Sequence, residues 1–181
     1  MLKITIKAGE LFDGARNVFV VNSKDETIVL EHSLVSISKW ESKWHKPFLS
    51  DKPKTAEESL DYIKCMTITQ NVDPSLYKFL SKENYEQINK YIEDPMTASW
   101  VNDVNGKKSS REVITSELIY YWMIALNIPV EFQKWHLNRL LMLIKICNAK
   151  NQPPKKMSKG ELMRRNRSLN AARRKASGSR G

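Results

Sequence analysis

The sequence predicts a mostly helical α+β protein: a small N-terminal antiparallel β-sheet packed on a helical bundle, followed by a basic C-terminal arm. Three observations lead to this class. Apolar and polar residues alternate near the N-terminus, which is strand periodicity. Farther along, apolar residues recur at helical spacing, and the chain ends in basic residues. We predict a globular body over residues 1–151, with the sheet at about 2–30 and helices at about 33–150, and a partly helical or disordered arm over 152–181.

Three β-prone runs make up the predicted sheet. Leu2, Ile4 and Ile6 alternate with polar residues in the first run. Residues 18–21 and 27–30 form two further runs, separated by a polar segment. So small a sheet needs a covered apolar face, so we expect one side to pack on helices.

Helix start signals follow the sheet at several positions. Thr55 and Glu58 have the spacing of a capping box, in which each side chain accepts a hydrogen bond from the other residue's backbone. Asp73-Pro74 is a second start signal. The predicted inward faces are Leu34, Ile37, Trp40 and Trp44; Leu60, Ile63 and Met66; and Tyr85, Ile88 and Ile92, with a short helix from Pro74 to Leu80 between the last two.

The longest apolar periodic segment runs from Ser116 to Lys150 and predicts a central helical hairpin. We expect its two helices to join at Asn127-Ile128-Pro129, with Pro129 in the first turn of the second helix. A capping box at residues 109–112 is expected to start the first helix, after an exposed turn at 103–108. The predicted inward faces are Leu118, Tyr121, Trp122 and Ala125 in the first helix, and Phe132, Trp135, Leu140, Leu143, Ile144 and Cys147 in the second.

The formal charge of +10 lies almost wholly in the arm. Residues 1–149 hold 19 Lys/Arg and 19 Asp/Glu, whereas residues 150–181 hold 11 Lys/Arg and the single acid Glu161. Pro153-Pro154 ends the preceding helix, and a capping box at Ser158–Glu161 predicts a further helix over 159–175. The candidate binding residues of the arm are Lys155, Lys156, Lys159, Arg164, Arg165, Arg167, Arg173, Arg174 and Lys175.

Three roles for this arm stay open from the residues alone. It can bind an acidic partner protein, neutralise phosphates of a nucleic acid, or keep the chain in solution. The arm has no aromatic residue and no recognisable DNA-binding motif, which argues against specific reading of bases.

No catalytic, cofactor-binding or metal-binding constellation is apparent, so we expect a protein that is not an enzyme. His32, His45 and His136 are scattered and read as surface or helix-edge residues. There is no Gly-rich phosphate loop and no nucleophile elbow. Trp40 and Trp44 alternate with lysines, as in a nucleic-acid surface, but their spacing continues the apolar face of a helix and favours the core.

The sequence also predicts a soluble intracellular location. The N-terminus lacks the apolar core of a signal peptide. The longest uncharged apolar run has 13 residues, which is too short to span a bilayer. Cys65 and Cys147 are distant in sequence and are expected to be buried free thiols, as in a reducing cytosol.

Three strings of residues resemble a group of small proteins encoded by tailed bacteriophages. They are EHSLVSISKWESKW at 31–44, ITSELIYYWMIALNIP at 114–129 and QKWHLNRLLMLI at 133–144, and the resemblance extends over most of residues 1–175. The group is identified with the tail assembly chaperones, which are made during virion morphogenesis. These proteins share no catalytic motif, so no functional residue carries over.

The resemblance implies a non-enzymatic virion-assembly protein of the host cell cytoplasm. Tail assembly chaperones hold the long, largely helical and aggregation-prone tape measure protein while tail tube subunits polymerise around it. The implied partners are therefore the tape measure protein and the tube subunits. The alternatives are a nucleic-acid-binding accessory protein that acts through the basic arm, or a minor structural component of the head–tail junction or tail.

Overall fold

A computed structural model of the chain describes residues 1–14, 17–99, 113–151 and 158–178, and it confirms the α+β class. The chain divides into two compact units, Met1–Ala149 and Lys150–Gly181. The predicted turn at 103–108, the capping box at 109–112 and the Pro153-Pro154 joint lie outside the described residues.

The N-terminal region forms four strands, so the prediction of three was wrong. They are β1 (Leu2–Ile6), β2 (Gly9–Asp13), β3 (Val18–Asn22) and β4 (Glu26–Leu30). β1 pairs antiparallel with β4, and β2 pairs antiparallel with β3, in two separate ladders. β2 was missed because it lies between the first and second predicted runs.

The β1–β4 ladder supplies one wall of the core. Ile4, Ile6, Ile28 and Leu30 are almost fully buried on its inner face. The outer edge of β4 is covered by the chain after α2, where the Ile68 N–H donates to the Val29 carbonyl at 2.8 Å. The predicted packing of one sheet face on helices is confirmed.

Six α-helices follow the strands in the described part of the chain, with two short 3-10 helices between them. Predicted starts are confirmed at Thr55, Asp73 and Ser158, whose side chains cap the helices that follow. The helices are α1 (Leu34–Trp44), α2 (Ala56–Met66), α3 (Lys82–Glu93), α4 (Ser116–Ala125), α5 (Leu137–Asn151) and α6 (Lys159–Ser177), and the 3-10 helices are Pro74–Phe79 and Val130–Lys134.

The first helix of the central pair differs from its prediction in start and in buried face. α4 begins at Ser116 with Thr115 as its N-cap, and residues 113–115 are not helical, so the box at 109–112 does not start it. Ile119 and Met123 are its buried apolar residues, whereas Tyr121 is 63% exposed. Because α4 packs mainly on α1, the side facing α1 is the buried one.

The second helix begins at Leu137, eight residues after the predicted Pro129. Pro129 instead precedes the 3-10 helix Val130–Lys134. Ser33 and His136 form an antiparallel bridge, and the Leu137 N–H donates to the His32 carbonyl at 2.7 Å. This long-range pairing requires extended backbone at residues 135–136, so it interrupts the helical periodicity of the sequence.

Candidate functional site

A buried polar cluster lies where the end of β4 meets the start of α5, and it corrects the histidine prediction. His32 is 2% exposed and His136 is 6% exposed. Their rings meet edge to face with centroids 5.0 Å apart. Only His45, the left-handed C-cap of α1, is a surface histidine. Sequence distance hid the pair, since its members lie 104 positions apart in the chain.

The hydrogen bonds of His136 determine which ring nitrogen carries its proton. Its Nε2 lies 2.9 Å from the Tyr91 carbonyl, which can only accept. Its Nδ1 accepts from the Asn138 N–H at 3.3 Å. The ring is therefore neutral with its proton on Nε2, and a second proton on Nδ1 would oppose the Asn138 N–H.

The His32 ring is held by a hydroxyl group of α2, which in turn contacts a hydroxyl group of α1. Its Nδ1 lies 2.6 Å from the Tyr62 hydroxyl of α2, which is 3.4 Å from the Ser36 hydroxyl of α1. Ser36 in turn donates to the Ser33 carbonyl at 2.7 Å. The cluster thereby links β4, α1 and α2.

Glu31 completes the cluster with a charge. Its carboxylate accepts from the Tyr91 hydroxyl of α3 at 2.7 Å and lies 3.0 Å from the N-terminal ammonium of Met1. Burial, the hydrogen bond to Glu31 and its negative charge all raise the pKa of Tyr91. Tyr91 therefore stays protonated and keeps donating.

Burial sets the protonation of both histidines. It lowers the pKa of His32 to about 3, and His136 adds to this shift whenever it is itself protonated. Burial also lowers the pKa of His136, against the opposing hydrogen bond to Tyr91. Among the described residues every buried side-chain nitrogen and oxygen has a hydrogen-bond partner. The cluster thus positions helices, and its polar groups point at one another.

A cleft of about 390 Å³ adjoins this cluster, and its lining includes Ser33, Val35, Ser36, Cys65 and Ile68. Burial raises the pKa of the Cys65 thiol, which disfavours the nucleophilic thiolate.

Cys65 and Cys147 are both free and half-buried, less enclosed than predicted. No group of three or more His, Cys, Asp or Glu side chains in the described ranges is placed to hold a metal ion.

The tryptophan pair of α1 belongs to the core, as the spacing favoured. Trp40 is 1% exposed and donates to the Glu58 carbonyl at 2.9 Å. Trp44 is half-buried and donates to Asp61 at 3.0 Å. Lys43 forms an ion pair with Asp61, so this lysine is engaged within the fold.

The β2–β3 ladder, called here the apolar hairpin, is an exposed apolar surface in the described part of the body. The rings of Phe12 and Phe19 contact each other in a tilted arrangement with centroids 5.1 Å apart, and the two residues are 56% and 70% exposed. In the part of the chain that the structure describes, β2 and β3 pair only with each other. Sequence reasoning missed this surface, although the β-prone run at 18–21 marked half of it. Its other exposed apolar residues are Leu11, Val18 and Val21.

The helix α6 carries seven of the nine predicted binding residues, and all of its residues are exposed. Lys155 and Lys156 lie outside the described residues. Ser158 caps the first turn of α6 and Gly178 ends the helix in the left-handed conformation. The seven cations on one ordered helix are Lys159, Arg164, Arg165, Arg167, Arg173, Arg174 and Lys175.

The chain matches no protein-family model, no curated protein and no solved structure. In the described ranges, every helix is too short or too polar to cross a bilayer.

Proposed function

We propose that the chain is a non-enzymatic tail assembly chaperone, which binds the tape measure protein in the host cell cytoplasm during virion morphogenesis. The apolar hairpin is the observation that carries this proposal. Monomeric proteins rarely leave a contiguous apolar element in water, and such an element favours a protein partner. The resemblance to phage tail assembly chaperones supplies the identity of the client.

The hairpin offers two ways to hold an apolar chain. The aromatic side chains of Phe12 and Phe19 provide area for apolar contact. The outer edges of β2 and β3, which pair with no other strand in the described ranges, provide backbone donors and acceptors for an added strand. The base of the hairpin is anchored, since the Asn22 side chain donates to the Lys7 carbonyl at 3.0 Å. An anchored base with an apolar, two-edged surface suits a client that would otherwise aggregate.

The buried polar cluster is assigned a structural role in this proposal. Its members satisfy one another and join β4 to α1, α2, α3 and α5. It holds together two of the three strings that carry the resemblance, since His32 and His136 belong to one each. We therefore attribute those strings to the stability of the body.

Co-expression of the chain with the phage tape measure protein tests the function. The two proteins should copurify as a soluble complex under mild conditions, and separate purification would reject the chaperone role. Phe12→Ser with Phe19→Ser should abolish copurification. Tyr121→Ser with Ile124→Ser is the matched control, because these α4 side chains are 63% and 76% exposed. If the hairpin variant still copurifies, the client binds elsewhere.

The basic helix α6 favours a second candidate, a nucleic-acid-binding accessory protein. Seven cations on an exposed helix can neutralise several phosphates, with affinity that falls steeply as salt rises. A DNA shift at about 50 mM salt should then be strong for the full chain and lost for a chain ending at Asn151. Absence of binding at that salt concentration, or equal binding by both chains, would reject this candidate.

A third candidate is a minor structural component of the virion. Mass spectrometry of purified particles separates it from the chaperone role. A chaperone should be missing from mature particles, whereas a structural component should be present in fixed proportion to the tail proteins.

A further inference from the structure

The helix α6 has a heptad pattern within its basic sequence. With Leu162 at position a, Leu169 and Ala176 also fall at a, and Ala172 falls at d. Residues at a and d line one side of a helix and form the seam of a coiled coil. Arg165 occupies the remaining d position. The seam is therefore apolar at four of its five positions and spans most of a helix about 28 Å long.

The seam is exposed, and the helix is preorganised to present it. Leu162 and Leu169 are 48% and 44% exposed. At the N-terminus, Ser158 and Glu161 exchange hydrogen bonds in a capping box, with the Glu161 carboxylate accepting from the Ser158 N–H at 3.0 Å. Arg174 and Lys175 lie in the last turn, where cations are favourable beside the helix carbonyls. The capping box and the cations of the last turn thus stabilise α6 at both ends, although its side chains are all exposed.

The residues that flank the seam determine which charge a partner helix needs to be complementary to α6. Positions e and g flank the seam and contact the partner helix. Lys159 and Arg173 occupy e and Lys175 occupies g, and all are exposed. Glu161, also at g, is already engaged by Ser158, and hydrogen bonds from Ser158 hold the pKa of its carboxyl below the ordinary value. The available flank is cationic.

We propose that α6 pairs with an acidic amphipathic helix of a partner protein, in a short coiled coil along the Leu162–Leu169–Ala172–Ala176 seam. A second copy of α6 is a poor occupant, because Arg165 and the cationic flanks would face like charges. Nucleic acid would neutralise the cations but leave both leucines in water. Only an acidic helix with an apolar seam satisfies both features. This pairing is a separate surface from the apolar hairpin and stands whether or not the proposed client is the partner.

A synthetic peptide of three heptads tests the proposal on the full-length protein. The probe has Leu at a and d, Glu at e and g, and a fluorescent label for anisotropy. Its counterpart has Lys at e and g. The Glu peptide should bind the protein at least about tenfold more tightly than the Lys peptide, since several flanking pairs change sign. Equal binding of both peptides would overturn the charge assignment.

Substitutions on the seam separate helix pairing from general attraction of a basic arm. Leu162→Gln with Leu169→Gln keeps the charge and helix propensity and should weaken binding of the Glu peptide at least about tenfold. Met163→Gln is the matched control, because Met163 is 68% exposed and lies off the seam at position b. It should bind as the unchanged protein does. A double variant that binds like this control would overturn the proposal.

Reversal of the flank gives an independent result. Arg173→Glu with Lys175→Glu should exchange the preference, so that the Lys peptide binds more tightly than the Glu peptide. A 20-base-pair DNA duplex serves as the competitor. If the duplex displaces the Glu peptide and the leucine variants bind the duplex and the peptide normally, α6 is a nucleic-acid surface and the proposal fails.

Discussion

The rings of His32 and His136 meet edge to face in the core, with centroids 5.0 Å apart. This contact joins the segment after β4 to the residue that precedes α5, the last helix of the body. Both rings are buried, and burial lowers the pKa of each. The same contact therefore makes the stability of the fold dependent on pH.

Stability of the body should decline as the pH falls below about 6.5, the ordinary pKa of histidine. The unfolded chain then takes up protons at both histidines, whereas folded His32 does not until about pH 3. For His32, the free energy of unfolding should fall by up to about 1.4 kcal/mol per pH unit between these two pKa values. His136 should add to the fall, since its pKa is also lowered. Denaturant unfolding at pH 7 and pH 5 measures the difference.

The variant His32→Asn should lose part of this dependence while it lowers stability at pH 7. His45→Asn is the control, because His45 is exposed and the left-handed backbone at this position suits asparagine. The control should retain the slope of stability against pH. If His32→Asn also retains it, the pH dependence arises from another group.

Glu41 in α1 should be a large contributor to stability. Its carboxylate accepts from two buried backbone groups, the Phe48 N–H at 2.7 Å and the Ser116 N–H at 2.8 Å. Glu41→Ala leaves both donors unpaired, at a cost of about 1–3 kcal/mol each. Denaturant unfolding should show a lower midpoint with an unchanged slope.

Two further variants define the origin of that loss. Glu41→Gln keeps one acceptor oxygen, so its free energy of unfolding should lie between those of the unchanged protein and Glu41→Ala. Glu93→Ala removes an exposed acid of α3 and should change stability by no more than about 0.5 kcal/mol. Equal losses in Glu41→Ala and Glu41→Gln would argue against the two hydrogen bonds as the cause.

The fold class was predictable because its signals are local. Thr55 and Ser158 mark helix starts, because each forms a capping box with a residue three positions later. The helical spacing of Leu34, Ile37 and Trp40 likewise predicts α1. The start of α5 was not predictable, because it depends on the bridge between Ser33 and His136. A pairing between residues so far apart does not change the hydrophobic periodicity of the sequence and therefore cannot be predicted from it.

The candidate surfaces divide in the same way. The cations of α6 were visible in the sequence, since charge is read directly from composition. The buried histidine cluster was hidden, because its members come from opposite ends of the body. The apolar hairpin was missed for a different reason. The sequence of a β-prone run is similar whether its strand packs on the core or is exposed to water. Burial, which decides between these cases, is a tertiary property.

Trp40 and Trp44 should differ sharply in their contribution to stability. Trp40→Phe removes the donor to the Glu58 carbonyl and leaves unfilled volume in the core, so we expect a loss of about 2–3 kcal/mol. Trp44 is half-buried, and its partner Asp61 would still form the ion pair with Lys43 in a Trp44 variant. Trp44→Phe should therefore cost about 1 kcal/mol or less. Similar losses in the two variants would contradict the assignment of Trp40 to the core.

The apolar hairpin should affect solubility much more than stability. Phe12 and Phe19 are mostly exposed, so Phe12→Ser with Phe19→Ser removes little buried area. Surface substitutions of this kind usually change the free energy of unfolding by about 0.5 kcal/mol or less, apart from the aromatic pair itself, worth about 1 kcal/mol. Light scattering of the concentrated protein should fall, because an exposed apolar strand edge promotes association.

Ile28→Ser, on the buried face of the other ladder, should do the opposite: it should unfold the body and increase scattering. A hairpin variant that behaves like Ile28→Ser would mean that the hairpin is part of the core and is not an exposed surface.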